Sequence, residues 1–369
     1  MKKYLLSIAV LMAATISFTS CDDDDDCPTC PPPATIVQNG VYVINEGSYY
    51  SQINGTLDFL GYDVAKGTYS MTRNIFESVN ARSLGGTPND ALIVGDSVLC
   101  IAVTDESRVE FVNTITKKAS TAIKIEKPRE LAYESGSNYL YVSSFTGKVY
   151  KIDMTTRTIA GESAVVGANL EGIAVAGNKL YVCNSCSSDY TTYYKNVVEL
   201  NASTLAKNQD IEVVDDPVDV INAGSAIFIL SMGIYGDKDK PATVQMLKDG
   251  QISTIGNATM MAYDAYNDQL YMINAPYGGD KEYKVYNLKN GQTTTFLTNP
   301  DIFSPYSLAV NPVNGDVFIT SSTKNPDTGY ADYTADCKLY RYTSAGTLLG
   351  TYDCGVNPGT IVCDSYYQK

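Results

Sequence analysis

The chain has 369 residues and a formal net charge of −14 at pH 7, with 41 acidic residues against 27 lysines and arginines. This charge disfavours nucleic acid and anionic membrane surfaces as partners, because phosphates select basic protein surfaces. The chain also has no histidine, so the usual general base and the usual nitrogen ligand of a catalytic metal are missing. We therefore predict a binding protein with no catalytic residues and no metal site.

The N-terminus has the order of a secretory signal. Two lysines follow Met1, an apolar stretch runs from Tyr4 to Phe18, and small residues lead to Cys21. The stretch is shorter than the roughly 20 apolar residues that span a bilayer. Because the segment before Cys21 resembles the lipobox of bacterial lipoproteins, we predict a signal peptide at residues 1–20 and lipidation of Cys21.

Residues 21–33 are predicted to be a tether. Five aspartates at 22–26 follow the lipidated cysteine, and Pro31 to Pro33 favour an extended spacer. The acidic run resembles the surface-export tag of gut anaerobes, which predicts a lipid-anchored protein of the outer membrane, displayed on the cell surface. The alternative is an ordinary solvated charge run on a lipoprotein that faces the periplasm.

An alternating apolar strand occurs seven times in residues 34–369. The copies begin 40 to 57 residues apart, at 41–45, 98–102, 140–144, 180–184, 227–231, 270–274 and 317–321. Each copy is followed by a second strand and a Thr-rich third strand. Four strands per unit at this spacing are typical of propeller blades, so we predict an all-β, seven-bladed β-propeller with four-stranded blades. The Leu/Val-Tyr-Val motifs in these copies are interpreted as core packing.

A short strand precedes six of the seven copies, and the missing one lies at the C-terminus. The six begin at Pro88, Pro128, Asn169, Pro217, Thr259 and Pro305, and the seventh is 358–363. This last strand can close the ring as the innermost strand of the first blade, uniting the chain ends. Residues 35–38 are the alternative occupant of that place.

The loops differ between the two faces of the predicted propeller. With strands lettered A to D from the axis outward, the A–B and C–D turns on one face are short and polar. The B–C loops on the other face are long in five blades, at 45–55, 184–196, 231–243, 274–283 and 321–337, and short in blades 2 and 3. Long loops are usually functional, so this loop face is the predicted binding surface.

The predicted ligand-binding residues lie in or beside these loops. Tyrosine dominates them because it offers a large apolar face and a hydroxyl at low entropic cost. They are Asn45, Glu46, Tyr49, Tyr50, Asp90, Arg108, Arg129, Phe145, Glu171, Asn184, Tyr190, Tyr193, Tyr194, Met232, Tyr235, Asn274, Tyr277, Tyr306, Tyr330 and Tyr333.

Acidic residues and cysteines give weaker signals. Glu46, Asp90, Glu130, Glu171 and Asp219 all fall near the loop face, where a carboxylate pair can hydrolyse glycosides, but acidic residues are so common here that we attribute this to chance. Eight cysteines besides Cys21 in an oxidising compartment predict disulfides of undetermined pairing. Cys100, inside an apolar strand, is also compatible with a buried thiol.

The lipobox, the aspartate run and three segments carry a family resemblance. The segments are Tyr-Val-Ile-Asn-Glu-Gly at 42–47, Gly-Thr-Leu-Asp-Phe-Leu-Gly-Tyr-Asp at 55–63 and Pro-Tyr-Ser-Leu-Ala-Val-Asn-Pro at 305–312. With them the chain resembles the YncE-like surface β-propeller lipoproteins of gut anaerobes, and within that family the cobalamin-binding group of BtuG type.

The resemblance implies that the chain binds cobalamin (vitamin B12) and related corrinoids and delivers them to a BtuB-type TonB-dependent outer-membrane transporter, with no cofactor of its own. Tyrosine faces would cover the corrin ring, and Arg108 or Arg129 would meet the phosphate. Without histidine, no imidazole would ligate the cobalt. The alternative is a glycan-binding or protein-docking surface propeller without a small ligand.

Surface display predicts that protease added to intact cells releases the propeller by cutting the tether at 21–33. Immunoblotting of the cell fraction measures the loss, and a periplasmic protein that stays intact controls for lysis. Full retention of the chain on shaved cells would contradict outward display.

Overall fold

The computed structural model describes residues 35–95 and 97–368. The predicted signal peptide, Cys21 and the tether lie outside these residues. The strands are β1 (Thr35–Asn45), β2 (Thr56–Asp63), β3 (Thr68–Thr72), β4 (Pro88–Val94), β5 (Val98–Val103), β6 (Arg108–Asn113), β7 (Ile123–Lys124), β8 (Pro128–Tyr133), β9 (Tyr139–Ser144), β10 (Val149–Asp153), β11 (Thr158–Glu162), β12 (Asn169–Ala176), β13 (Lys179–Cys186), β14 (Tyr193–Asn201) and β15 (Lys207–Glu212).

The second half of the chain continues the same arrangement. Its strands are β16 (Pro217–Asn222), β17 (Ile227–Ser231), β18 (Thr243–Lys248), β19 (Gln251–Gly256), β20 (Met260–Asp264), β21 (Gln269–Asn274), β22 (Glu282–Asn287), β23 (Thr293–Leu297), β24 (Ser304–Val310), β25 (Val317–Lys324), β26 (Ala331–Asp332), β27 (Cys337–Tyr342), β28 (Leu348–Cys354) and β29 (Pro358–Gln368). A six-residue helix, α1 (Ile75–Asn80), joins the first two blades. Within the described residues no helix has the length and apolarity to cross a membrane.

The strands form seven antiparallel sheets, which confirms the predicted seven-bladed propeller. From the axis outward their orders are β29-β1-β2-β3, β4-β5-β6-β7, β8-β9-β10-β11, β12-β13-β14-β15, β16-β17-β18-β19, β20-β21-β22-β23 and β24-β25-β27-β28, with β26 paired to β25. Neighbouring innermost strands contact one another from β20 through β24, β29, β4, β8 and β12 to β16. These strands therefore surround the axis.

The C-terminal strand closes the ring. β29 pairs with β1 along its length, with Val41 opposite Cys363 and Val43 opposite Ile361. Residues 35–38 continue β1 instead of forming the innermost strand, so the C-terminal alternative is the correct one, and the closing strand runs on to Gln368, beyond the predicted residue 363. Because β29 and β1 come from opposite ends of the chain, blade 1 forms only when both ends are present.

Alternating side chains of each B strand pack on both neighbouring blades. In β1, Tyr42 and Ile44 join the apolar core toward blade 2, whereas Val41 and Val43 join the core toward blade 7. This follows from the two-residue period of a strand, which sends successive side chains to opposite faces. The apolar repeats are therefore the cores between blades, as interpreted from the sequence.

Three tyrosines of the repeated motif also bond to the next blade. The Tyr42 hydroxyl donates to the Thr114 carbonyl at 3.0 Å, Tyr141 to Ala202 at 3.0 Å and Tyr271 to Ser344 at 3.4 Å. Each acceptor lies in the C–D turn of the following blade. The tyrosine thus adds an oriented hydrogen bond to an apolar contact, and it fixes the angle between neighbouring blades.

The disulfide prediction is wrong for the cysteines that the structure describes. Cys100, Cys183, Cys186, Cys337, Cys354 and Cys363 are all free thiols. Most are fully buried in strands among aliphatic side chains, where cysteine packs as a small apolar residue. Cys100 is one of these buried thiols, as expected.

Replacing Tyr141 with phenylalanine should destabilise the propeller by about 1 kcal/mol, because the hydroxyl to Ala202 is lost from a buried site. The loss stays moderate because Lys151 also donates to that carbonyl, at 3.3 Å. Urea unfolding measures the change. Tyr266→Phe, at a half-exposed position in the A–B turn of blade 6, is the control. Equal stability of the two variants would refute the contribution of the Tyr141 hydrogen bond.

Candidate ligand-binding face

The B–C loops of all seven blades emerge on one face of the ring. The two shortest are 104–107 and 145–148, in blades 2 and 3, and the longest are 46–55, 232–242 and 325–336, in blades 1, 5 and 7. Blade 4 differs from the expectation. Its strands extend to Cys186 and resume at Tyr193, because the hairpin continues its ladder, so the loop is only 187–192. Tyr193 and Tyr194 are half-buried strand residues there.

Four exposed tyrosines from blades 5 to 7 form a cluster that we call the tyrosine shelf: Tyr235, Tyr277, Tyr330 and Tyr333. The rings of Tyr277 and Tyr330 stack, with centroids 5.9 Å apart and planes 18° from parallel. Desolvation and the nearby hydroxyls of Tyr330, Tyr235 and Tyr333 raise the pKa of Tyr277. Since Tyr235 and Tyr277 are 81% and 71% exposed, the shelf presents aromatic faces to solvent.

Further exposed aromatic residues flank the shelf. Tyr49 and Tyr50 in the blade 1 loop pack edge to face with centroids 5.5 Å apart, and Tyr190 lies in the blade 4 loop with a left-handed backbone, at φ 60°. Met232, at the start of the blade 5 loop, is 38% exposed. The exposed aromatic loop residues therefore follow an arc from blade 4 through blade 7 to blade 1, and the short loops of blades 2 and 3 leave the opposite side low.

The central channel opens on this face into a cavity of about 440 Å³. We call its lining of ionisable residues the channel mouth: Glu46, Asp90, Arg129, Glu130, Glu171 and Asp219. Tyr306 adjoins it, since its hydroxyl donates to Glu46 Oε2 at 3.1 Å. Five carboxyl groups thus share the cavity with one guanidinium group.

Four of these acids occupy the same place in their blades. Asp90, Glu130, Glu171 and Asp219 each lie two residues after the first residue of an innermost strand, β4, β8, β12 and β16. At each of these places the register of the strand pair shifts. Such bulges redirect side chains, so the repeat itself brings the four carboxyl groups to the channel.

Two contacts organise the mouth. The Arg129 Nε and Nη2 atoms both lie 2.9 Å from Glu171 Oε2, and its guanidinium carbon is 4.2 Å from the centre of the Phe145 ring. The Leu131 backbone N–H donates to Asp90 Oδ2 at 2.9 Å. The Glu130 carboxyl group, in contrast, accepts no hydrogen bond from any described residue, although its backbone bonds Ser143.

Burial raises the pKa of every carboxyl group in the mouth. The pKa rises to about 7 for Glu46, to about 7 for Asp90 and to about 6 for Asp219. For Glu130 burial and the charges of Asp219, Asp90 and Glu171 raise the pKa well above its ordinary value. These groups keep part of their surface open to the channel, so Glu46, Asp90 and Asp219 can exchange protons with solvent near neutral pH.

Several predicted site residues have structural roles instead. Asn45 is buried and donates to Asp58 Oδ2 at 3.0 Å. Asn184 is buried and donates to Asn196 Oδ1 at 3.0 Å. Asn274 ends β21 opposite Glu282, and it stays partly exposed.

Arg108 and Arg129, which were predicted to meet the phosphate of a bound corrinoid, both pair with acidic side chains of the protein. Arg108 is held by Glu110 at 2.6 Å, by Glu106 at 3.0 Å and by the Leu84 carbonyl at 2.9 Å, and Arg129 is paired with Glu171. Both arginines thus neutralise acidic neighbours, and the amino-acid composition does not reveal which acid pairs with which arginine.

The channel mouth also contains residues that the site prediction missed. Glu46, Asp90, Arg129 and Glu171 meet in the cavity as predicted site residues, and Tyr306 and Phe145 contact them. Glu130 and Asp219 were considered only as members of a catalytic carboxylate pair and were not among the predicted ligand-binding residues. The available signal was their shared position in the repeat, two residues after Pro128 and Pro217.

Comparisons with known proteins support the fold. No family model and no curated protein matches the chain. Among the solved structures that it resembles is the one described as Kuenenia stuttgartiensis hydrazine synthase, with a TM-score of 0.60 and 14% identity over 76% of this chain and 92% of that chain. At this identity the likeness concerns the fold alone.

The raised carboxyl pKa values predict that the mouth lowers stability as pH rises. A carboxyl group with a higher pKa in the folded state than in the unfolded chain binds its proton more tightly when folded, so its stabilisation is greatest at low pH. For Asp90 and Asp219 it is lost between about pH 4 and pH 7. The double variant Asp90→Asn with Asp219→Asn lacks both titrating groups. The free energy of unfolding of this variant minus that of the wild type should therefore be larger at pH 8 than at pH 5, by about 1 kcal/mol or more.

Urea unfolding of both proteins at the two pH values measures this difference. Asp239→Asn with Asp327→Asn, two exposed loop residues, is the matched control. An identical pH dependence in the channel variant and the wild type would show that the two groups titrate as they do in the unfolded chain.

Proposed function

We propose that the protein is a lipid-anchored, surface-exposed binding protein that captures cobalamin and related corrinoids and passes them to a BtuB-type TonB-dependent outer-membrane transporter. The observation that carries this proposal is the tyrosine shelf beside an open channel mouth on one face of the ring. The corrinoid itself is named by the family resemblance.

The chemistry of the face suits such a ligand. A corrin is a broad macrocycle with apolar faces and a fringe of amide groups, so stacked and exposed tyrosine rings can cover it. Its amide N–H groups need acceptors, and the mouth offers carboxylate oxygens: those of Glu130 accept no hydrogen bond from a described residue, and Asp219 accepts one from the Val220 backbone N–H. Apolar contact with a few polar groups that fix orientation is typical of small-molecule sites.

The acidic channel mouth also determines how a bound corrinoid is oriented. Five carboxyl groups and one committed arginine disfavour a phosphate in the cavity, so we infer that the nucleotide phosphate points away from the axis. The amide-bearing side of the ring then faces the mouth. A corrinoid without the nucleotide loop should bind at least as well as the complete one.

Delivery needs the loop face to reach the transporter. β1 ends at the loop face with Asn45, so its start at Thr35 lies at the opposite face. A fully extended chain of the length of the tether reaches at most roughly 45 Å. We infer that the propeller turns over on its tether to bring bound ligand to the transporter, and that it catalyses no reaction itself.

Glycan binding is the second candidate. The stacked pair of Tyr277 and Tyr330 favours it, because exposed aromatic rings also stack on sugar faces. A carbohydrate array probed with the purified protein separates this function from corrinoid capture.

Titration of the purified protein with cyanocobalamin should give one-to-one binding. Tyr277→Ala with Tyr330→Ala should weaken it by roughly tenfold or more, since two aromatic contacts are lost. Tyr266→Ala, on the opposite face, should leave binding unchanged. A flat calorimetric titration at micromolar protein would contradict the corrinoid proposal, and equal loss in both variants would contradict the placement of the site.

A further inference from the structure

The channel mouth has an excess of negative groups that its own residues do not balance. The charged and titratable groups that face it are Glu46 from the blade 1 loop, Asp90 from β4, Arg129 and Glu130 from β8, Glu171 from β12, Asp219 from β16 and Tyr306 from β24, with Cys183 and Asp216 behind them. Within the described residues Arg129 is the one cation that lines the cavity, and it is bonded to Glu171.

Glu130 is the residue that most needs a partner. It is only partly exposed to the channel, its carboxyl group accepts no hydrogen bond from a described residue, and Asp219, Asp90 and Glu171 all act on it with like charge. A buried carboxylate without a partner is costly. A concave site lined by one sign of charge also concentrates ions of the other sign. Both arguments point to a cation in this cavity.

The spacing of the acids distinguishes an organic cation from a metal ion. The acids come from five different blades, and no three acidic, cysteine or histidine side chains among the described residues are grouped as a metal ion would require. A metal ion needs several oxygen atoms around one point. Carboxylates that come from separate blades around one cavity instead suit a flexible molecule with several ammonium groups.

We propose that the channel mouth is a binding site for an organic polyamine, whose ammonium groups pair with the carboxylates of Glu130, Asp219, Asp90 and Glu46. This inference rests on the acidic channel mouth and does not require corrinoid capture, although a corrinoid whose amides bond Glu130 and Asp219 would compete with the polyamine for these residues. A protein that binds no cobalamin can still bind the polyamine.

Binding is linked to protons. The ammonium groups pair with the ionised carboxylates, and the pKa values of about 7 for Glu46 and Asp90 and about 6 for Asp219 leave part of them protonated near pH 6. Polyamine binding therefore releases protons, and the affinity rises from about pH 6 to about pH 8.

Calorimetric titration of the full-length protein with spermidine at physiological salt tests the proposal. We expect one-to-one binding at pH 8, weaker binding at pH 6, and proton release measured from two buffers with different ionisation enthalpies. Glu130→Gln with Asp219→Asn should weaken binding by roughly tenfold or more, because two charge-assisted contacts are lost. These variants keep the shape of the side chains and remove buried charge, so they should fold.

Two controls make the result decisive. Asp239→Asn with Asp327→Asn removes the same charge from exposed loop positions on the same face and should bind spermidine as the wild type does. The uncharged 1,4-butanediol should not bind. Absence of spermidine binding at pH 8, equal binding by both double variants, or equally tight binding of calcium would each overturn the proposal.

Discussion

The fold and the candidate site both depend on the pairing of β29 with β1. This pairing joins the two ends of the chain in blade 1 and completes the apolar core between blades 7 and 1 around Val41, Phe318 and Leu339. A closed ring leaves no innermost strand without a neighbour, which removes a sheet edge that would otherwise invite association. The same strand brings Gly359 to Ile361 into the channel mouth, and the Glu46 N–H donates to the Asn357 carbonyl at 2.8 Å just before it. Closure therefore builds one wall of the site.

In the channel mouth, the same sequence repeat builds the blades and positions the acidic residues. Blades 2 to 5 begin their innermost strands alike, with a bulge after the first residue, and this places an acid at each channel position. A ring of buried carboxyl groups costs stability at neutral pH, because each group must hold a proton or remain desolvated. Perturbed groups gathered in a cavity are typical of functional sites. Tyr306 and Arg129 bond Glu46 and Glu171, and backbone N–H groups bond Asp90 and Asp219. Glu130 is the acid of the mouth whose carboxyl group accepts no hydrogen bond from a described residue.

Much of the fold could be predicted from the sequence, because the apolar strand repeats seven times and period-two alternation identifies its buried faces. The C-terminal strand was one of two candidates for the missing innermost strand, and the sequence did not decide between it and residues 35–38. The site was less predictable. Arg108 and Arg129 look free in the sequence, but residues 2 and 42 positions away, Glu110 and Glu171, neutralise them. In the sequence, acidic residues at equivalent repeat positions are not distinguishable from a chance distribution. The structure shows that a bulge in each innermost strand directs their side chains toward the channel. The length of the blade 4 hairpin depends on a ladder that continues past Asn184, which loop composition does not reveal.

The central claim is that ligand binds on the loop face, between the tyrosine shelf and the channel mouth. Hydrogen exchange of the purified protein with and without saturating cyanocobalamin tests it most directly, because amide protection reports where a ligand orders the backbone. The account predicts slower exchange in the loops 232–242, 275–281 and 325–336 and at the start of β8 and β16, with unchanged exchange in the short turns of the opposite face. Protection confined to those short turns, or to the groove between blades 4 and 5 lined by Tyr181 and Asn222, would contradict it.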